Sequence, residues 1–181
     1  MSASISLQKD ISIAYLGPQG TYSHQAATQR FGDCVAYSEQ SSISDVIDAV
    51  ESGTVTYGVI PFENSSFGSV QQTLDRFIAC SDSVKIRAES YLSVHHFLLS
   101  RSPLSSIKRV FSHVEAFGQC QDWIKKNLPA DVERVAVSST AHAAELASKE
   151  KDTAAIASSL CANLYGLNII GSHIQDQKSK T

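Results

Sequence analysis

Short apolar runs of strand length alternate along this chain with amphipathic segments of helix length, and the junctions are rich in Gly, Ser, Thr and Asn. That alternation has few folded solutions: a mainly parallel sheet whose faces are covered by the intervening helices. The chain is therefore expected to be α/β. Residues 11–16 alternate as a half-buried strand, with Ile11, Ile13 and Tyr15 on one face, and Gly17-Pro18 breaks the run. Residues 24–31 follow as a short helix stopped by Gly32. Ser42 or Ser44 caps a second helix carrying Ile43, Val46, Ile47 and Val50 on one face and ending near Gly53. Residues 56–60 form a short buried strand, and Val70, Leu74, Phe77 and Ile78 share a helical face.

Further along, 91–99 reads as a long apolar strand and 107–111 as another. Ser112 with Glu115 three residues on has capping-box spacing for the next helix. A strand at 134–137, a helix from 141, a buried strand at 153–157 and a helix at 160–164 opened by Ser158 or Ser159 complete the pattern. Strand ends after Leu16, Ile60, Phe111 and Val137 thus run into starts rich in hydroxyls and amides. In open α/β sheets, ligands bind beyond the carboxyl ends of strands. The segment Gly17-Pro18-Gln19-Gly20-Thr21-Tyr22-Ser23 is the sharpest instance. Backbone N–H groups of a first helical turn lack internal partners, and the dipole favours negative charge there. Thr21 and Ser23 add neutral hydroxyls. Each Ser or Thr could equally be a simple cap; the recurrence points to an anion-binding cleft.

Composition closes several alternatives. A formal charge of -3 without a Lys/Arg cluster argues against nucleic acid. No apolar run is long enough to span a bilayer, and residues 1–10 are polar without a signal core. Cys34, Cys80, Cys120 and Cys161 lie far apart, which suits reduced thiols in the cytosol rather than zinc ligands or disulfides. The histidines show no ligand spacing, and adjacent His95 and His96 would face opposite sides of a strand. No metal is expected.

Taken together, Gly17-Pro18-Gln19-Gly20-Thr21-Tyr22-Ser23, then Pro61-Phe62-Glu63-Asn64-Ser65-Ser66-Phe67-Gly68-Ser69-Val70 with Thr73-Leu74-Asp75, resemble the first two signatures of the prephenate dehydratase catalytic domain. Ser112-His113, Ala116, Gly118-Gln119-Cys120, Ser139-Thr140-Ala141, Ala154-Ala155-Ile156-Ala157 and Leu164-Tyr165-Gly166-Leu167 follow in the family's order. The resemblance covers roughly residues 11–176. It implies two α/β lobes with a cleft between, similar to type II periplasmic binding proteins. A flexible 1–10, one lobe from 11–90 and 166–181, and a second from 91–165 are expected. It further implies a cytoplasmic lyase of phenylalanine biosynthesis that needs no cofactor and is homo-oligomeric at full length. The family's Thr-Arg-Phe signature would begin at or just after Thr181, and its phenylalanine-sensing ACT domain is absent, so a truncated, inactive chain is one expectation.

Under this resemblance the substrate is a dianion that loses CO2 and a ring hydroxyl as it aromatises. Neutral donors must hold its carboxylates and stabilise the departing hydroxide. Thr21 and Ser23 are expected to bind one end, and Asn64, Ser65 and the backbone at Gly68 the other, with Ser112 and Thr140 closing from the second lobe. The catalytic acid is left unassigned: Glu63 and His113 are candidates, each with an ordinary structural role open to it. Phe62, Phe67 and Phe117 could wall the ring or belong to the core. A non-catalytic carboxylate-binding module on the same fold is the alternative.

Overall fold

The computed structural model describes residues 11–65 and 68–176, which divide into two compact units. The first holds Gly17 and everything described before it, together with Ala26–Ser90; the second holds Pro18–Gln25 and the chain from Tyr91 onward. The expected flexible segment 1–10, Phe67 and the Thr181 end lie outside the described residues. No described helix is long and apolar enough to cross a membrane.

In the first unit, β1 (Ser12–Leu16) is the central strand of a parallel three-stranded sheet, between β2 (Ala36–Gln40) and β3 (Tyr57–Val59). Its burial departs from the expected alternation: Ile13, Ala14 and Tyr15 are all buried, while Ile11 is exposed. A strand covered on both faces gains nothing from polar residues on either. Ile13 and Tyr15 pack with Ala27 and Phe31 of α1 (Tyr22–Phe31), and Ala14 packs with Val46 of α2 (Ile43–Glu51) on the opposite face. Beyond β3, β4 (Glu63–Asn64) pairs antiparallel with β5 (Gly68–Ser69), and α3 (Gln71–Ala79) follows. Arg76 of α3 bridges to Asp48 and Glu51 of α2.

Ser42, rather than Ser44, caps α2: its extended backbone lets the hydroxyl accept from the Asp45 N–H at 3.1 Å. An unmet N–H in that first turn is costly, so Ser42→Ala is expected to remove about 1 kcal/mol of stability. The check is a lower urea midpoint with an unchanged slope.

The second unit is built on a five-stranded sheet. Its strands are β6 (Phe97–Ser100), β7 (Arg109–Ser112), β8 (Glu133–Ala136), β9 (Thr153–Ala157) and β10 (Asn168–Gly171), in the order β10-β6-β9-β7-β8. β9, β7 and β8 are parallel; β6 and β10 are antiparallel additions. α4 (Val114–Gln119) and α5 (Gln121–Asn127) cover one face through Ala116, Cys120 and Ile124 against Leu98, Val110 and Ile156. α6 (Thr140–Lys149) and α7 (Leu160–Tyr165) cover the other through alanines and Cys161 against Leu99, Phe111 and Ala155.

Three expectations change here. Residues 168–171 pair with β6 and so join the second unit, not the 11–90 lobe; Pro18–Gln25 also groups with it. The long 91–99 strand shrinks to Phe97–Ser100, because the residues before Phe97 have no sheet neighbour. The Ser112–Glu115 capping box does not form: Ser112 ends β7, and His113 caps α4 by accepting from the Glu115 N–H at 3.4 Å.

Candidate functional site

Parallel strands present their carboxyl ends on one side, and antiparallel neighbours bring opposite ends there. In the second unit that edge therefore collects the residues after β7, β8 and β9, the residues before β6, and those after β10. They include Ser112-His113, Ser138–Thr140, Ser158, His95-His96 and His173–Asp176. The loop 18–22 is fastened to the same edge. The Gly20 carbonyl accepts from Ser158 Oγ at 3.2 Å and from Cys161 Sγ at 3.3 Å, and the Tyr165 hydroxyl donates to the Gln19 carbonyl at 3.0 Å. Gly20 sits at φ 95°, where a side chain is disfavoured, and a Cβ there would lie 2.9 Å from Cys161 Sγ and 3.4 Å from the Ala141 Cβ.

That fastening sets the N-terminus of α1 beside the N-terminus of α6. Thr21 caps α1 through its hydroxyl, which accepts from the His24 N–H at 3.3 Å, and the Gly20 N–H is met by His24 Nδ1. Ser139 caps α6 by accepting from the His142 N–H at 3.0 Å. No described group accepts from the N–H of Tyr22, Ser23, Thr140 or Ala141. The Ser23 and Thr140 hydroxyls likewise make no hydrogen bond among the described residues. Neither helix carries an acidic residue in its first turn, whereas α2, α4 and α5 do. Two positive helix ends without their own carboxylates make an uncharged anion cradle.

The expected binding residues fare differently. Thr21, Ser23 and Thr140 are brought to one edge. Ser112 is there too, but it is fully buried and its single hydroxyl proton goes to the Ile156 carbonyl at 2.9 Å; it braces β7 against β9 rather than facing solvent. Asn64, Ser65 and Gly68 belong to the first unit's hairpin, where Gly68 takes φ 83° opposite Asn64. Glu63 is exposed on β4. His113 is the α4 cap, Phe117 packs on the second unit's core, and Phe62 contacts Phe77 in the first unit.

A polar cluster that sequence reasoning passed over lies alongside. His96 is 2% exposed; its Nδ1 is 2.9 Å from the Tyr22 hydroxyl and its Nε2 is 2.6 Å from Gln119 Oε1. The signal was a histidine inside an apolar run, with Tyr22 and Gln119 each within a motif already singled out. Burial pushes the His96 imidazole below its ordinary value of 6.5, outweighing the Gln119 hydrogen bond. Burial also pushes the Tyr22 phenol up and the Cys120 thiol up to about 12. Among the described residues no three His, Cys, Asp or Glu side chains group as a metal site.

The His96 shift has a sign. With the folded value below the unfolded one, its stabilisation is complete above pH 6.5 and is lost as pH falls through the depressed value. Unfolding free energy is expected to decline from about pH 6.5 towards pH 5, where carboxylates are still ionised. The same titration of His96→Gln should lack that component.

The sequence model of the family described as "Prephenate dehydratase" matches residues 13–181. The bifunctional chorismate mutase/prephenate dehydratase of Aquifex aeolicus is 42% identical over 177 residues, which is 97% of this chain and 48% of that protein. The chain thus spans about half the length of the curated relatives of this kind. Among solved structures, the prephenate dehydratase of Arthrobacter aurescens in complex with L-Phe aligns with a TM-score of 0.83 at 31% identity. That alignment covers 92% of this chain and 56% of the other. A quorum-quenching acylase, GqqA, aligns at 0.80 and 29% identity over 91% of this chain and 60% of its own. The family match over nearly the whole chain, carried by a fold of the same α/β build, shows that this chain belongs to the prephenate dehydratase family.

Proposed function

We propose that this chain binds prephenate and catalyses its conversion to phenylpyruvate, CO2 and water in phenylalanine biosynthesis. The observation that carries the reading is the Gly20 fastening beside Ala141, at the starts of α1 and α6, neither of which has an acidic residue in its first turn. A carboxylate docked there gains hydrogen bonds from neutral donors that need no reorganisation as charge moves. In the reaction the bond to the ring carboxylate breaks, its electron pair enters the ring, and the ring hydroxyl is expelled, taking up one proton from solvent to become water. Aromatisation drives the step, so binding and alignment are the protein's main tasks. The first unit offers donors of the same chemistry at Asn64, Ser65 and the Gly68 main chain.

Acylase chemistry through a serine or cysteine nucleophile, acylase being the word in the name of the GqqA structure, fits this edge less well. The Ser112 and Ser158 hydroxyls donate to carbonyls, and burial pushes the Cys120 and Cys161 thiols up, away from a reactive thiolate. Binding without turnover is the second reading, favoured because Ser23 and Thr140 can hold charge but release no proton near neutral pH. A cytosolic setting belongs to the proposal, supported by four free thiols; homo-oligomeric assembly is carried over from the family likeness and is read by light scattering.

Calorimetric titration with prephenate, followed by assay of phenylpyruvate, tests the proposal. Saturable binding with product is expected, and Thr140→Val should weaken binding about tenfold, the loss of one hydrogen bond to a charged group. Binding without product selects the second reading; neither binding nor product overturns both.

A further inference from the structure

We propose that His95 and Gln175 form a latch, closed while His95 is neutral and opened by its protonation, that holds residues 174–176 against the entry to β6. One amide bridges two groups. Gln175 Oε1 accepts from the His96 N–H at 3.0 Å, and Gln175 Nε2 lies 2.9 Å from His95 Nδ1. A main-chain N–H can only donate, so the amide oxygen must face His96 and the NH2 group must face the ring. An NH2 group only donates in turn, so Nδ1 is bare and the one proton of the neutral imidazole sits on Nε2. Each polarity follows from the main-chain donor at the head of the chain of bonds.

A second proton reverses the outcome. Charged His95 carries an N–H at both nitrogens, and its Nδ1–H then points at the Gln175 NH2. Turning the amide over offers its oxygen to the ring but aims the NH2 group at the His96 N–H. No orientation serves both, so one of the two bonds is lost. The titratable groups around His95 among the described residues are His173, His96 and Tyr22. The His173 ring stands 4.7 Å away, edge to face at 79°, His96 is next in the chain, and the Tyr22 hydroxyl lies 3.1 Å from the His95 carbonyl. None is a carboxylate. Asp176, beside Gln175, turns both carboxylate oxygens to the N–H groups at the start of α5, at 3.1–3.2 Å from Asp122 and Trp123.

The latch closes a stretch that is already under strain. The His96 carbonyl accepts from the Ile174 N–H at 2.9 Å, so residues 174 and 175 together hold both main-chain groups of His96. Just before them His173 takes φ 51°, a left-handed backbone that costs free energy and persists only where neighbouring contacts impose it. Opening frees that residue to leave it. On the other side, the His95 carbonyl meets the hydroxyl of Tyr22, whose loop is fastened at Gly20 to the same edge of the sheet. Acid therefore loosens the stretch on which the cradle loop leans, whichever anion the cradle takes.

Site-resolved NMR of the 15N-labelled chain tests this, with His95→Gln and His96→Gln identifying the signals of the two rings. At about pH 8 the expected His95 is neutral and protonated at Nε2, with Nδ1 accepting a hydrogen bond. Between about pH 8 and pH 5, the range in which imidazoles charge, exchange protection of the His96 amide relative to the unfolded chain should fall roughly fivefold to tenfold in step with the His95 ring, the loss of one hydrogen bond. Gln175→Glu separates a latch from general softening in acid. Its carboxylate accepts from the His96 N–H and from a charged His95 at once, so protection should hold or rise over the same range. A neutral wild-type His95 protonated at Nδ1 overturns the proposal. So does His96 protection that stays flat through the His95 titration or follows the His96 ring instead, and so does a Gln175→Glu chain that loses protection as the wild type does.

Discussion

Ile156→Ala is expected to lower the unfolding free energy of the chain by about 2–5 kcal/mol, the range for removing a large buried aliphatic side chain. Ile156 is 0% exposed in β9, the middle strand of the five, and stands opposite Leu98 in register. Its side chain shares a core with Leu98, Val110, Ile124 and Ile174, which come from four other parts of the second unit. Those neighbours are themselves almost wholly buried and cannot close the space without pulling strands or helices along. The backbone carbonyl of residue 156 would still accept the Ser112 hydroxyl, so the loss reports packing rather than a broken hydrogen bond. Urea unfolding should show a lower midpoint and an unchanged slope, with prephenate affinity preserved in the folded protein. A near-wild-type midpoint would mean that β9 is not the covered central strand.

Much of this arrangement was legible because local chemistry decided it. The run 153–157 reads as a buried strand since all five residues are small or apolar, and all five are buried. The α2 face of Ile43, Val46 and Ile47 was equally plain, and those three are its buried residues. What escaped was decided by distant partners. β2, Ala-Tyr-Ser-Glu-Gln, is a polar edge strand with no buried residue, so no periodicity announces it. Residues 168–171 carry two isoleucines that could cover either unit; only the pairing with β6, through an irregularity near Gly171, assigns them to the second.

The site was legible in its residue types more than in its roles. Hydroxyls at strand ends were visible, but a sequence does not say whether a given proton faces inward or out. Ser112 and Ser158 spend theirs on carbonyls inside the sheet edge, whereas Ser23 and Thr140 do not. His113, offered as an acid, took the capping position one residue beyond the expected serine. His96 looked like one of a mismatched pair on a strand; it is instead buried just before β6, with both ring nitrogens engaged.

Gly20→Val is expected to do the greatest damage to function, and to cost about 2–6 kcal/mol of stability, combining a strained left-handed backbone with an overpacked contact. At φ 95° a β-branched residue is a steric outlier, and its Cβ would press on Cys161 Sγ at 2.9 Å and Leu164 Cδ1 at 3.3 Å. Relief requires the loop to lift, which breaks the bonds that Ser158 and Cys161 donate to the Gly20 carbonyl. Two buried donors then lose their acceptor, and the start of α1 leaves its place beside Ala141. Prephenate binding should therefore disappear even at temperatures where the variant remains folded, because the cradle depends on the two helix ends being held together. Gly20→Ala should show a smaller version of both effects. Adding Cys161→Ala removes the Sγ contact but not the backbone strain, so the double variant should recover part of the stability lost by Gly20→Ala and little of the binding. Full recovery of binding in that double variant would show that the clash, and not the left-handed turn, had been the controlling term; wild-type binding in Gly20→Val would show that the loop does not build the site.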